Sequence, residues 1–173
     1  MLELVQKMLI GQYEAALSTL GRAVQQCPAE LWSRPVARFP FCQTAYHTLF
    51  FTDLYLGLDL ESFRSQAFHR EHPDLFGDYE QIEDRDPVCV YDKSPIMTYL
   101  HFCRAKAIEV ITAETAASLA AADTFQRKLS SRAELHLYNI RHIQHHAAQL
   151  ILKLRADPDL KMPWIGSGWK LPT

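Results

Sequence analysis

The spacing of apolar residues is the feature that most limits what this chain can fold into. Across residues 2–24 apolar side chains recur at intervals of three and four, which places them on one face of a helix. The same intervals recur across residues 41–57, 94–122 and 131–154, and no stretch has the strict alternation of a half-buried strand. The pattern predicts an all-α protein with four long helices.

Start and stop signals give these helices their predicted bounds. Pro28 ends the first helix, and Gly57 supplies the stop of the second, which begins near residue 41. Ser94 and Pro95 predict the start of the third helix, because serine caps a helix and proline fits its first position. We expect that helix to reach residue 122. The fourth begins at the serine pair 130–131 and reaches about residue 154.

Two segments lack helical spacing. Residues 59–93 contain prolines, a glycine and many charges, which predicts a long loop with one short helical turn. The last fourteen residues hold Trp164 and Trp169 among prolines and glycines, so we expect them to pack on the helices or on a second subunit. The predicted architecture is a four-helix bundle, one domain spanning residues 1–173, with a long connection between helices 2 and 3.

Composition excludes several classes of protein. The chain has 173 residues, 48% of them hydrophobic and 22% charged, which is typical of one globular domain. Its 18 basic and 20 acidic residues argue against a nucleic-acid partner. The amino-terminal stretch lacks a basic region and a long apolar run, so neither secretion nor membrane insertion is expected. The four cysteines are scattered and predict reduced thiols in the cytoplasm.

Histidines are the residues that indicate chemistry. His142 and His146 are four apart in the fourth helix, so their side chains project from one face, at the margin of the apolar stripe. His145 points roughly to the opposite side. His47 lies within the apolar face of the second helix, where an unsatisfied imidazole costs about 1–3 kcal/mol. Each of these three inward histidines therefore needs a polar partner.

Two explanations satisfy that need. Each histidine can be a core residue bonded to a backbone carbonyl or to a tyrosine or asparagine. Alternatively, His47, His142 and His146 hold one divalent metal ion per chain, Zn²⁺, Ni²⁺, Fe²⁺ or Mn²⁺. The Glu-x-x-His pairs of di-iron bundles and the His-Glu-x-x-His motif of zinc proteases are absent. The remaining histidines, including His69 and His136, are not expected to be ligands; His69 lies in the charged loop, where polar residues are usually solvated.

The chain resembles the DinB/YfiT-like superfamily of metalloenzymes. The resemblance rests on one histidine early in the second helix and on RHIQHHAAQL in the last, a His-x-x-His-His-x-x-Gln pattern. It implies a four-helix bundle, often dimeric, with His47, His142 and His146 as metal ligands. Ala147 and Ala148 stand where many members have Arg-Gly. Characterised members use a low-molecular-weight thiol, so the resemblance implies a small-molecule substrate and such a thiol as partners.

Function stays open between three hypotheses at this point. Three protein ligands leave positions for water or a thiol, which favours a hydrolase or a thiol S-transferase. A non-catalytic bundle that dimerises and binds a partner or ligand through its tail and loop is the second hypothesis. A metal sensor or carrier is the third.

Neighbouring polar residues complete the candidate site. Gln43 precedes His47 by one helical turn, Tyr138 and Asn139 precede His142 by one turn, and Gln149 follows His146 by three residues. Groups at these spacings can orient metal-bound imidazoles. Neither Glu109 nor Glu114 can be assigned as a general base, because both are expected on a solvated helix face.

Overall fold

A computed structural model describes residues 1–125 and 129–171, and the described chain is helical with no β-strand. In chain order its α-helices are α1 (Leu2–Gln26), α2 (Ala29–Trp32), α3 (Phe41–Leu56), α4 (Leu60–Arg64), α5 (Ala67–Glu71), α6 (Pro73–Phe76), α7 (Lys93–Ala113), α8 (Ala116–Ala120) and α9 (Arg132–Ala156). A 3₁₀ helix, Glu80–Ile82, lies between α6 and α7. The all-α prediction is confirmed for these residues.

The ends of the long helices agree with the sequence signals except in the third. The Ser131 side chain accepts a bond from the backbone N–H of Glu134, as expected of a cap. The third helix starts one residue before Ser94, so Pro95 lies within the first turn, where no N–H is needed. It ends at Ala113 and not near residue 122, because Thr115 caps a separate short helix, α8.

The prediction of a long loop over residues 59–93 is wrong in detail, since this segment contains three short α-helices and a 3₁₀ helix. Asp59 and Ser62 form a reciprocal capping box that starts α4. Pro73 occupies the first position of α6. Helices this short give no periodic signal, which is why spacing alone did not identify them. Residues 77–92, which follow α6 and include the 3₁₀ helix, are called the 77–92 connector below.

Side-chain bonds between the long helices give their relative directions. The joining pairs are Asn139 with the Thr52 carbonyl and His142 with His47 (α9 and α3), Cys103 with the Leu49 carbonyl and Lys106 with the Asp53 carbonyl (α7 and α3), and Gln6 with the Thr112 carbonyl and Arg104 with Glu14 (α1 and α7). Thus α3 runs parallel to α7 and antiparallel to α9, and α1 runs antiparallel to α7. Their apolar faces share one buried core.

The carboxyl-terminal segment packs back on α1, which is one of the two placements expected from the sequence. Gly168 donates its N–H to the carbonyl of Gly11, and Lys170 donates its N–H to the hydroxyl of Ser18, both at 2.9 Å. Trp169 lies under the guanidinium of Arg104, 4.4 Å from ring centroid to carbon. Trp164, by contrast, is 84% exposed. Among the described residues, no helix is long and apolar enough to cross a membrane.

Candidate metal centre

The structure brings together the three histidines that the sequence singled out. His47 comes from α3, while His142 and His146 come from successive turns of α9, which packs antiparallel against α3. Each histidine offers one ring nitrogen, and the three nitrogens lie within 4.8 Å of one another. The Nε2 atoms of His47 and His142 are 3.5 Å apart. This group can hold a metal ion.

Two glutamines orient the imidazole rings of His47 and His146. The Nδ1 atom of His47 lies 2.8 Å from Oε1 of Gln81, and Nδ1 of His146 lies 2.9 Å from Oε1 of Gln149. An amide oxygen accepts a hydrogen bond, so each Nδ1 carries the proton and each Nε2 keeps its lone pair. Both rings therefore present a ligand atom to the centre of the group.

Burial keeps these imidazoles uncharged. It lowers the pKa of His47 below its ordinary value, partly offset by the bond to Gln81. It also lowers the pKa of His146, to about 4, partly offset by the bond to Gln149. Metal ligation requires the neutral form. His47 and His146 therefore offer neutral ligand nitrogens at neutral pH.

The donor set fits a divalent transition metal. Bonds of about 2.0 Å arranged tetrahedrally set two ligand nitrogens about 3.3 Å apart, close to the 3.5 Å between His47 and His142. Three neutral imidazoles suit zinc, copper, iron or nickel better than calcium or magnesium, which prefer oxygen. Because the three histidines supply three ligands, a bound ion would keep at least one position for another molecule.

A cavity of about 390 Å³ opens beside two of the histidines. His47, His146 and Gln149 line it, and its walls come from residues 36–39 and from the 77–92 connector. The walls combine apolar residues such as Val36 and Pro87 with charged ones such as Arg38 and Asp86. A cavity of this volume is within the range that binds small molecules. The three histidines also border a smaller pocket, which is lined by the rings of Phe51 and Tyr55 from α3 and of Tyr138 from α9.

The polar neighbours predicted from spacing have different roles. Gln149 contacts His146 directly, as expected. Gln43 acts on His47 through Gln81: its amide oxygen accepts a bond from Gln81, which in turn contacts His47. Asn139 donates to the carbonyl of Thr52 and so joins helices instead of orienting a ring. His145 is exposed, in agreement with the helical geometry.

Gln81 is the site residue that sequence reasoning missed. It lies 34 positions after His47 in a segment without periodicity, so no spacing rule connects the two. Glu80 beside it is fully buried and accepts bonds from the side chains of Gln43 and Tyr91 and from two backbone N–H groups. Burial alone would raise the pKa of Glu80, but these donors hold it below its ordinary value. Glu80 is thus an anion around which the connector folds.

Glu80 also belongs to a second group of candidate ligand atoms, with Asp78 and Cys89, that lie within 4.8 Å of one another. The Glu80 carboxylate is already engaged by four donors, and Asp78 pairs with Arg85. Burial raises the pKa of the Cys89 thiol, helped by Glu80, and so disfavours the thiolate that binds metal. The histidine group is the better cation site.

Two further polar clusters correct expectations from the sequence. His69 is not solvated but buried, with Nε2 2.8 Å from the Asp53 carboxylate, which also contacts Lys106. Glu114 is buried as well and accepts bonds from Arg132 and from His136. Both clusters anchor helix ends and short helices to the core.

Comparison with known proteins gives no match for this chain among protein families, curated proteins or solved structures.

Proposed function

We propose that this chain is a metal-dependent enzyme that binds one divalent ion at His47, His142 and His146 and acts on a small molecule. The observation that carries the proposal is the convergence of three ligand nitrogens, within 4.8 Å, beside a cavity of about 390 Å³. A structural zinc site is normally closed by four protein ligands, whereas this one has three and adjoins a cavity. The arrangement favours chemistry over a purely structural role.

A bound divalent ion would lower the pKa of a coordinated water or thiol and so supply a nucleophile near neutral pH. The protein's own part is to hold that nucleophile against the substrate. Gln81 and Gln149 orient His47 and His146, and the apolar side chains of Val36 and Pro87 line the cavity where the substrate body would lie. Hydrolysis and thiol transfer are the two reactions that this arrangement serves.

We also propose that the fold is the four-helix bundle of the DinB/YfiT-like superfamily, acting in the cytoplasm as a homodimer. The helix order, the position of His47 early in α3 and the His-x-x-His-His-x-x-Gln pattern of α9 support this assignment. Thiol transfer to a small electrophile is then the reaction to test first.

The test combines metal analysis with an activity screen. The protein is purified without a metal-affinity tag, and its metal content is measured per chain. Hydrolase substrates and thiol-electrophile pairs are then screened with and without chelator. We expect about one divalent ion per chain and an activity that chelator removes and added metal restores. Absence of metal, together with failure to bind added Zn²⁺, Ni²⁺, Fe²⁺ or Mn²⁺, would end the proposal.

A further inference from the structure

The two glutamines that contact the site histidines belong to different parts of the fold. Gln149 lies on α9 itself, three residues from the His146 that it holds. Gln81 lies in the 77–92 connector and reaches across to His47 on α3. One imidazole is thus oriented from within its own helix, and the other from a separate segment.

Three contacts hold the connector in the conformation that presents Gln81. Tyr79 has a left-handed backbone (φ 50°, ψ 37°), which is unfavourable for a residue with a side chain. Its hydroxyl lies 3.0 Å from Nδ1 of the buried His69. Glu80 gathers N–H groups of Val88 and Cys89 around its carboxylate. The turn at Tyr79 therefore needs these tertiary bonds to persist.

The same connector forms one wall of the cavity. Gln81, Arg85, Asp86 and Pro87 line it, together with Glu80. Asp86 pairs with Arg38, which also lines the cavity, and both side chains are largely exposed. Exposed ion pairs contribute little to stability, so this pair cannot by itself fix the wall. The order of this wall therefore depends on the partly buried bonds of the connector, which are those of Tyr79 and Glu80.

We propose that Gln81 is a positioning residue that couples metal binding at the three histidines to the ordering of the 77–92 connector, so that metal loading completes the substrate cavity. The coupling rests on the proposed metal site. It follows from linkage: if the connector favours the metal-binding orientation of His47, a bound ion must favour that conformation of the connector by the same free energy. The bond from Nδ1 of His47 to Oε1 of Gln81 carries this coupling between the metal site and the connector.

Hydrogen exchange with Zn²⁺ as the probe tests the coupling. Exchange of the connector amides is measured with and without saturating Zn²⁺ in the wild type, in Gln81→Leu and in Gln149→Leu, and zinc affinity is measured in parallel. Both variants should bind zinc about 10–100-fold more weakly, because each loses the partner of a ligand histidine. Zinc should slow connector exchange in the wild type and in Gln149→Leu, but not in Gln81→Leu. Peptides from α7 provide the internal reference.

Gln81→Glu is the control for a general loss of folding: it keeps an oxygen that can accept the bond from His47, and it loses only the N–H that Gln81 donates to Gln43. It should bind zinc more tightly than Gln81→Leu and regain zinc-dependent protection of the connector. Zinc binding by the wild type without any protection of the connector overturns the coupling and leaves the metal site standing. Equal protection in Gln81→Leu and Gln149→Leu overturns it too. A wild type that binds no zinc overturns the proposed function, and the coupling with it.

Discussion

At the scale of single residues, helical geometry separated neighbours that the sequence places side by side. His145 and His146 are adjacent, yet an advance of about 100° per residue turns one outward and the other toward α3, and the structure agrees. His47 could be predicted for the same reason. Gln81 could not, because its approach to His47 depends on tertiary bonds of Tyr79 and Glu80 that leave no periodic trace.

Replacing a ligand should weaken metal binding far more than replacing its neighbour. We expect His142→Ala to reduce Zn²⁺ affinity by more than the roughly 10–100-fold that loss of a ligand's partner costs. His101→Ala, an exposed histidine of α7 outside the histidine group, is the control and should change affinity little. Competition with a chromophoric chelator measures both. Equal losses in the two variants would contradict the assignment.

Histidines that are partly or fully buried also make the stability of the metal-free protein depend on pH. Burial lowers the pKa of His47, His136 and His146 in the folded state, in the last case to about 4. In the unfolded chain these histidines become protonated near pH 6.5, whereas in the folded chain they stay neutral until a lower pH. The free energy of unfolding should therefore fall as pH drops from about 6.5 towards 4.

Urea unfolding at several pH values, in the presence of chelator, measures this slope. His146→Gln should reduce the slope but not abolish it, because His47 and His136 remain. Carboxylates held below their ordinary pKa, such as Asp53 and Glu80, lose their stabilising contribution only at more acidic pH. A stability that is flat between pH 6.5 and 4 would show that these histidines are not buried as neutral groups.

At the scale of helices, the spacing of apolar residues predicted the long helices. Polar contacts determine where the third of them ends and where the short helices form. The third helix stops at Ala113 because Glu114 turns into a buried cluster with Arg132 and because Thr115 starts α8. The sequence gives no warning of this, since the apolar pattern continues past that point. Asp53 likewise interrupts an apolar face of α3, and its partner His69 lies in a segment expected to be solvated.

Asp53 should be far more important for stability than an exposed aspartate. Burial raises its pKa, but His69 and Lys106 more than offset that and hold the pKa below its ordinary value. Asp53→Asn leaves the Lys106 charge without its partner and should cost about 3–5 kcal/mol of unfolding free energy. Asp86→Asn, which breaks only an exposed pair with Arg38, should cost about 0–1 kcal/mol. Similar costs in urea unfolding would contradict the difference in burial.

At the scale of the whole molecule, the tail packs on the helices, one of its two expected placements, although its two tryptophans differ. Trp169 packs against the core and under Arg104, whereas Trp164 is 84% exposed. Composition predicted that the tail packs, because tryptophans are rare in segments without tertiary contacts. It could not predict which ring is inside, since that depends on the turn at Gly168, whose φ is 72°.

The two tryptophans therefore provide a paired test of tail docking. Trp169→Ala should destabilise the fold by about 1–3 kcal/mol, because it removes a largely apolar side chain from the packed segment. Trp164→Ala should leave unfolding free energy nearly unchanged. Chemical denaturation of both variants checks this. A larger loss from Trp164→Ala would mean that the exposed ring has a partner in solution, such as a second copy of the chain.

The central claim is that three histidines from α3 and α9 hold one divalent ion, and anomalous X-ray diffraction tests it most directly. Crystals grown with Zn²⁺ are measured on both sides of the zinc absorption edge. The account predicts one strong peak per chain, about 2.0–2.1 Å from Nε2 atoms of His47, His142 and His146. A map with no peak between these histidines, or with its strongest peak at Asp78, Glu80 and Cys89, would contradict it.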